Sequence, residues 1–295
     1  MKILAVLDLS REHSFLLKEV ARLAANTWAD VTLLGIEPEA ISPSQPLFTK
    51  EDRRTEDHPL VKSLRESRNM FLDHFGEEGS PYLHTVVTSE LVEVESGFYE
   101  DLQVCRGSIK KLNSRLRPGN PARAILEEAR YSQCDLIVVE NASSVDGRNL
   151  TKYVKKVVLE TDISVWIVAK SKKPRRIVAC LDHDNVSQPS LELINQIVTL
   201  YSADLEVVGL TTKDVLADDV DHKMGEIVKY YAANKIKALV RLVEDSRLET
   251  FATQAAQGNL VALWLGKTSL LSRFFHPRYV DKLLAAAESS LLVLR

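Results

Sequence analysis

Residues 2–10, KILAVLDLS, return in altered form at residues 176–184 as RIVACLDHD. Each copy is a basic residue, a short β-prone apolar run and then an aspartate, Asp8 or Asp182. Each is followed by a helix-period segment, FLLKEVARLAANT at 15–27 and LELINQIVTLYSA at 191–203. The next apolar runs, ADVTLLGIEP at 29–38 and ADLEVVGLTT at 203–212, share an Ala-Asp start and an internal glycine. CDLIVVENA (134–142) and NLVALWLGK (259–267) follow at matching places. Each half closes with a helix and a last strand, YVKKVVLETDISVWIVAK (153–170) and YVDKLLAAAESSLLVLR (279–295). Short, fully apolar strands that alternate with amphipathic helices indicate parallel strands buried on both faces. The expectation is an α/β fold of two domains, 1–170 and 176–295, each a parallel sheet with helices on both sides. The boundary is the charged, proline-containing link KSKKPRR at 170–176.

The halves differ between their second and fourth strands. The first carries a helix at 58–76 and then a long stretch, 82–121, where the second has only KALVRLVEDS at 237–246. An insertion of two strands near 82–106 is therefore expected. The alternation in LVEVES and the break at Gly97-Phe98 predict a hairpin. It holds the acids Glu90, Glu93, Glu95, Glu100 and Asp101, and the bases Arg106, Lys110, Lys111, Arg115 and Arg117 follow. Two readings are open: a solvated hairpin whose acids meet the adjacent basic strand, or an arm for self-association or a partner protein.

Composition narrows the function classes. The chain has 295 residues, 38 Lys plus Arg against 41 Asp plus Glu, and a net charge of -3. That balance offers no general attraction to nucleic acid or anionic membrane, and neither is expected as a partner. Cys105, Cys134 and Cys180 are widely spaced with no CxxC, as for reduced thiols in the cytoplasm. The apolar start meets Asp8 too soon for a secretion signal, and no run long enough to span a membrane occurs.

The strands ending in Asp8 and Asp182, together with RPGNPARAILEEARYSQCDLIVVE at 117–140, resemble the universal stress protein family in tandem form. The resemblance covers both halves outside the insertion. It implies two Rossmann-like or flavodoxin-like five-stranded parallel sheets related by pseudo-twofold symmetry. It also implies antiparallel pairing between the last strands, ISVWIVAK and SSLLVLR, a pseudo-dimer within one chain. Some members bind ATP. Those show, after the fourth strand, a Gly, two residues, a second Gly, nine residues and then Gly-Ser or Gly-Thr, whose amides meet the phosphates at a helix start. The first half departs from this, with Glu140 at the first glycine and Thr151-Lys152 where Gly-Ser should stand. The second keeps Gly266 but has Ser269 and Pro277-Arg278 at the later positions. Proline has no N–H to offer, and it is favoured at the first position of a helix.

The candidate nucleotide or anion residues are therefore Asp182, Gly266, Lys267, Thr268, Ser269 and Arg278 in the second half and Asp8 in the first. The matching aspartate contacts nucleotide in the family; capping the next turn is the other role open to it. Gly266-Lys267-Thr268 is not a phosphate loop of the Walker type, because Val261 stands where that motif needs glycine. Asp182, His183 and Asp184 are adjacent, so their side chains diverge and are not expected to hold a metal. No GxSxG or paired-histidine motif appears. The expected function is non-enzymatic, a cytoplasmic stress-response or regulatory protein acting through protein contacts or self-association. No cofactor is expected in the first half, and ATP is open in the second. The alternative is an ATP-binding switch with weak ATPase activity in the second half.

Overall fold

The computed structural model describes residues 1–9, 13–37, 58–75, 80–82, 86–95, 98–105, 109–141, 150–170, 173–180, 186–211, 218–264 and 277–295. They form two compact units, Met1–Glu140 and Asn141–Arg295.

The first unit runs β1 (Lys2–Asp8), α1 (Ser14–Thr27), β2 (Asp30–Glu37), α2 (Pro59–Asp73), β3 (Val86–Glu95), β4 (Phe98–Cys105), β5 (Leu112–Pro118), α3 (Pro121–Ser132) and β6 (Leu136–Glu140). Its strands lie in the order β6-β1-β2-β5-β4-β3. The first four are mutually parallel, whereas β4 and β3 run antiparallel at the outer edge. The apolar runs are buried as their lack of alternation predicts: Leu4, Ala5, Leu7, Leu136, Ile137 and Val138 have no exposed surface. Helix α3 starts as its sequence predicts, with Asn120 Oδ1 accepting from Arg123 N at 3.2 Å and Pro121 in the first turn. Helices α1 and α3 both end on a left-handed residue that is not glycine, Trp28 (φ 50°) and Gln133 (φ 51°). Each carries a local strain of about 1–2 kcal/mol.

The expected hairpin is present as β3 and β4, and its inner strand joins the sheet through Tyr99↔Leu116 and Glu100↔Arg115. It is tied down by charge. Glu128 of α3, fully buried, accepts from Arg115 Nη1 at 2.5 Å and from Arg117 Nε at 2.9 Å. Arg115 Nη2 also reaches Glu100 at 3.3 Å, and the Arg117 guanidinium lies 4.0 Å from the centre of the Phe98 ring. Asp101 accepts three hydrogen bonds from Arg65 of α2, the shortest 2.8 Å. One acid of the hairpin, Glu100, thus meets the adjacent basic strand, and Asp101 meets α2 instead.

The second unit runs α4 (Leu150–Glu160), β7 (Ser164–Val168), β8 (Arg176–Cys180), α5 (Gln188–Tyr201), β9 (Asp204–Thr211), α6 (Asp218–Ala233), β10 (Ala238–Glu244), α7 (Leu248–Ala255), β11 (Leu260–Trp264), α8 (Pro277–Ala286) and β12 (Leu291–Leu294). The order is β10-β9-β8-β11-β12-β7, parallel except for β7. As expected, the last strands pair antiparallel, with Leu291↔Ile167, Leu292↔Trp166 and Val293↔Val165. Ser164 Oγ accepts from Arg295 N at 3.2 Å, and Lys155 of α4 bonds Asp281 of α8 at 2.6 Å. These contacts place α4 and β7 in the second compact unit, although by chain order they complete the first repeat. Among the described residues each unit's sheet has six strands: the first repeat's five gain the two of the expected hairpin and lose β7, and the second repeat's five gain β7.

Candidate functional site

Ligands of open parallel sheets gather at the carboxyl ends of the strands, where the chain order switches direction. In the first unit that point lies between β1 and β6, which pair through Ile3↔Leu136, Leu4↔Ile137 and Ala5↔Val138. Asp8 ends β1 and Glu140 ends β6. Between them sits His13, the residue just before α1, which sequence reasoning did not single out. Its side chain is buried. Nε2 donates to the main-chain oxygen of Asp8 at 2.6 Å, and Nδ1 lies 3.0 Å from Glu140 Oε2. A carbonyl oxygen can only accept, so Nε2 carries a proton; the Nδ1–Oε2 contact needs another, held by either partner. The imidazole thus fastens the two strand ends together.

The neighbouring strand end is also filled. Leu9 follows Asp8 and packs on Gly35 of β2, its Cδ1 only 2.7 Å from where a Cβ on Gly35 would stand. The Leu9 carbonyl accepts from Ser63 Oγ of α2 at 3.3 Å. Glu140 places negative charge at this strand end, which disfavours a phosphate there. His13 was legible only as a histidine five residues beyond Asp8 at the start of a helix period.

The structure joins the main-chain carbonyl of Asp8, not its carboxylate, to Glu140 through His13. Asp182, Gly266, Lys267, Thr268 and Ser269 lie outside the described residues, as do His183, Asp184 and the side chains of Thr151 and Lys152. Arg278 is exposed on the first turn of α8. That helix begins at Pro277, as expected, and its first position offers no N–H. Among the described residues no group of three or more His, Cys, Asp or Glu could hold a metal.

Among the described side chains two cysteines are free and buried, Cys134 before β6 and Cys180 at the end of β8. Burial pushes the Cys134 thiol up to about 12 and the Cys180 thiol likewise up to about 12. Both stay protonated at neutral pH, which removes them as nucleophiles. The unfolded chain loses these protons from about pH 9 upward while the folded protein keeps them, so stability falls as pH rises from 9 towards 12. The expected slope is about 1.4 kcal/mol per pH unit for each thiol, read from urea midpoints between pH 8 and 11. Iodoacetamide at pH 8 should label both thiols only after denaturation.

The universal stress protein family profile matches residues 1–169. The chain belongs to the universal stress protein family. The match ends at the charged link, so it follows the first repeat in chain order and extends past the first compact unit. No curated protein matches the chain. Among solved structures, a universal stress protein from Archaeoglobus fulgidus DSM 4304 is similar at 11% identity and TM-score 0.57, covering 100% of this chain and 96% of that one. A functionally unknown protein from Pseudomonas aeruginosa PAO1 is similar at 15% identity and TM-score 0.56, over 99% and 92%. The cytoplasmic domain of a prokaryotic cation chloride cotransporter is similar at 11% identity and TM-score 0.53, over 99% and 94%. At these identities the likeness establishes the fold, Rossmann-like α/β with a mostly parallel sheet. No helix of this universal stress protein among the described residues is long and apolar enough to cross a membrane.

Proposed function

We propose that this universal stress protein is a non-enzymatic, cytoplasmic stress-response regulator that acts through protein contacts and has given up nucleotide binding in its first repeat. Family membership supports the stress-response role. The observation that supports the rest is the His13 bridge between the Asp8 carbonyl and Glu140, at 2.6 and 3.0 Å, at the strand ends where ligands of open parallel sheets gather. The other reading is an ATP switch with weak ATPase activity in the second repeat, built on Asp182, Gly266, Lys267, Thr268, Ser269 and Arg278. The exposed cation on the first turn of α8 favours it, and the proline beginning that helix weighs against it.

Thermal unfolding with and without Mg·ATP separates the two. A ligand at 100 times its dissociation constant adds about 2.7 kcal/mol of stability. The proposal expects no shift at millimolar Mg·ATP and no nucleotide in acid extracts of the purified protein. A shift that Lys267→Ala and Arg278→Ala remove would overturn it in favour of the switch.

A further inference from the structure

We propose that the outer edge of β10 is a docking site for an extended acidic segment of a partner protein. The segment adds antiparallel to β10, with a carboxylate opposite Arg241 and an aromatic side chain opposite Leu242. This refines the protein-contact reading above and rests on it.

The two repeats provide the comparison. Gly35 and Gly209 hold the same place in the repeated Ala-Asp…Gly strands. In the first unit Gly35 pairs with Leu116 and Leu34 with Arg115; in the second Gly209 pairs with Leu242 and Val208 with Arg241. Arg115-Leu116 and Arg241-Leu242 are therefore the same two positions of the same strand. Their surroundings differ. In the first unit β4 covers that edge, with Tyr99 opposite Leu116 and Glu100 opposite Arg115. Leu116 is 1% exposed there, whereas Leu242 is 48% exposed. The side chain of Arg115 is 11% exposed and that of Arg241 53%.

In the second unit no strand among the described residues lies beyond β10. Leu239 and Val240 are exposed beside Leu242, so apolar side chains on both faces meet solvent along a bare edge. Such an edge invites a strand, because its unpaired amides and carbonyls form a ready ladder. A cavity of about 590 Å³ adjoins it, between β10 and α7, lined by Arg241, Val243, Ser246, Thr250, Phe251 and Gln254. Side chains of an added strand that point to the α7 face have space there. Arg241 is held over the Phe251 ring at 5.7 Å and bonded to Glu206, which Arg176 also reaches at 3.0 Å, so its guanidinium is positioned in advance.

The hairpin on the matching edge of β5 shows what such an edge accepts, and charge disfavours self-pairing centred on Arg241. Two copies of β10 paired antiparallel about Arg241 would set Arg241 opposite its own counterpart, and like charges directly opposite destabilise a sheet. The hairpin sets a carboxylate at that place.

The test uses the intact protein and a fluorescein-labelled peptide with the sequence of residues 98–104, FYEDLQV, followed by anisotropy without nucleotide. The expected result is saturable binding, at least about tenfold weaker for the peptide carrying Glu100→Lys and for the protein variant Val240→Lys. No saturable binding at millimolar protein, or equal binding of the Glu100→Lys peptide, would overturn the proposal. So would a concentration-dependent dimer by light scattering that Val240→Lys abolishes, because the edge would then belong to a second copy. The Mg·ATP measurement is independent of each of these outcomes.

Discussion

Glu128→Ala is expected to lower stability by about 3–5 kcal/mol, because it strips two buried arginines of the carboxylate they share. Glu128 has no exposed side-chain surface, and Arg115 and Arg117 are each 11% exposed at the side chain. Without it Arg115 keeps only Glu100 at 3.3 Å as a carboxylate, and Arg117 keeps Glu127 at 3.7 Å. The loss should fall on the hairpin first, since Phe98 lies under the Arg117 guanidinium and against the Tyr131 ring, 5.3 Å between centres. Hydrogen exchange of the β4 amides should therefore quicken more than that of β1. Glu127→Ala is the matched control: its side chain is 42% exposed, and the expected cost stays below about 1 kcal/mol. Urea unfolding of the two variants decides the matter, and equal midpoints would show that the Glu128 cluster contributes nothing beyond a surface pair.

Trp166→Ala should be as damaging in the second unit, again about 3–5 kcal/mol, for a different reason. Trp166 is fully buried on β7, pairs with Leu292 across the antiparallel join and meets the Tyr201 ring edge-on at 6.5 Å. What it supplies is volume. Its Nε1 finds no acceptor among the described residues, so the indole contributes no hydrogen bond that phenylalanine would lose. Trp166→Phe is accordingly expected to cost less than about 1.5 kcal/mol. A phenylalanine variant as unstable as the alanine one would show that a polar contact, rather than packing, holds the join.

The architecture was legible because buried parallel strands leave an unmistakable pattern. Runs such as LIVVE and LVALW admit no polar face, and their recurrence with helix-period segments told both the class and the repeat. The hairpin was legible from a length difference between repeats, and the pairing of β7 with β12 from the resemblance to the family, with which the apolar character of both strands agrees. The charged ties were not. Arg115 and Arg117 read locally as part of a basic strand, and Glu128 as one more acid on a helix; only the crossover from β5 through α3 brings them together. His13 was hidden for the same reason. Its partners are a carbonyl five residues back and a carboxylate 127 residues on, a separation that no periodicity reports. Glu140, by contrast, stood out at once, because a carboxylate replaced a glycine at a strand end.

The edge of β10 stands out only when the two repeats are aligned on their glycines. LNSRLRP and ALVRLVE look unrelated until Gly35 and Gly209 align them. Among the described residues one strand is then covered and the other open.

The most direct test of the account concerns the strand ends of β1 and β6. Histidine side-chain resonances, assigned with a His13→Gln variant, should be followed while Mg·ATP is added to millimolar concentration. The account predicts that the His13 resonances do not move, because the imidazole remains bonded to the Asp8 carbonyl and to Glu140. A saturable shift of those resonances that Glu140→Gln alters would mean that nucleotide enters there, and the account would be wrong.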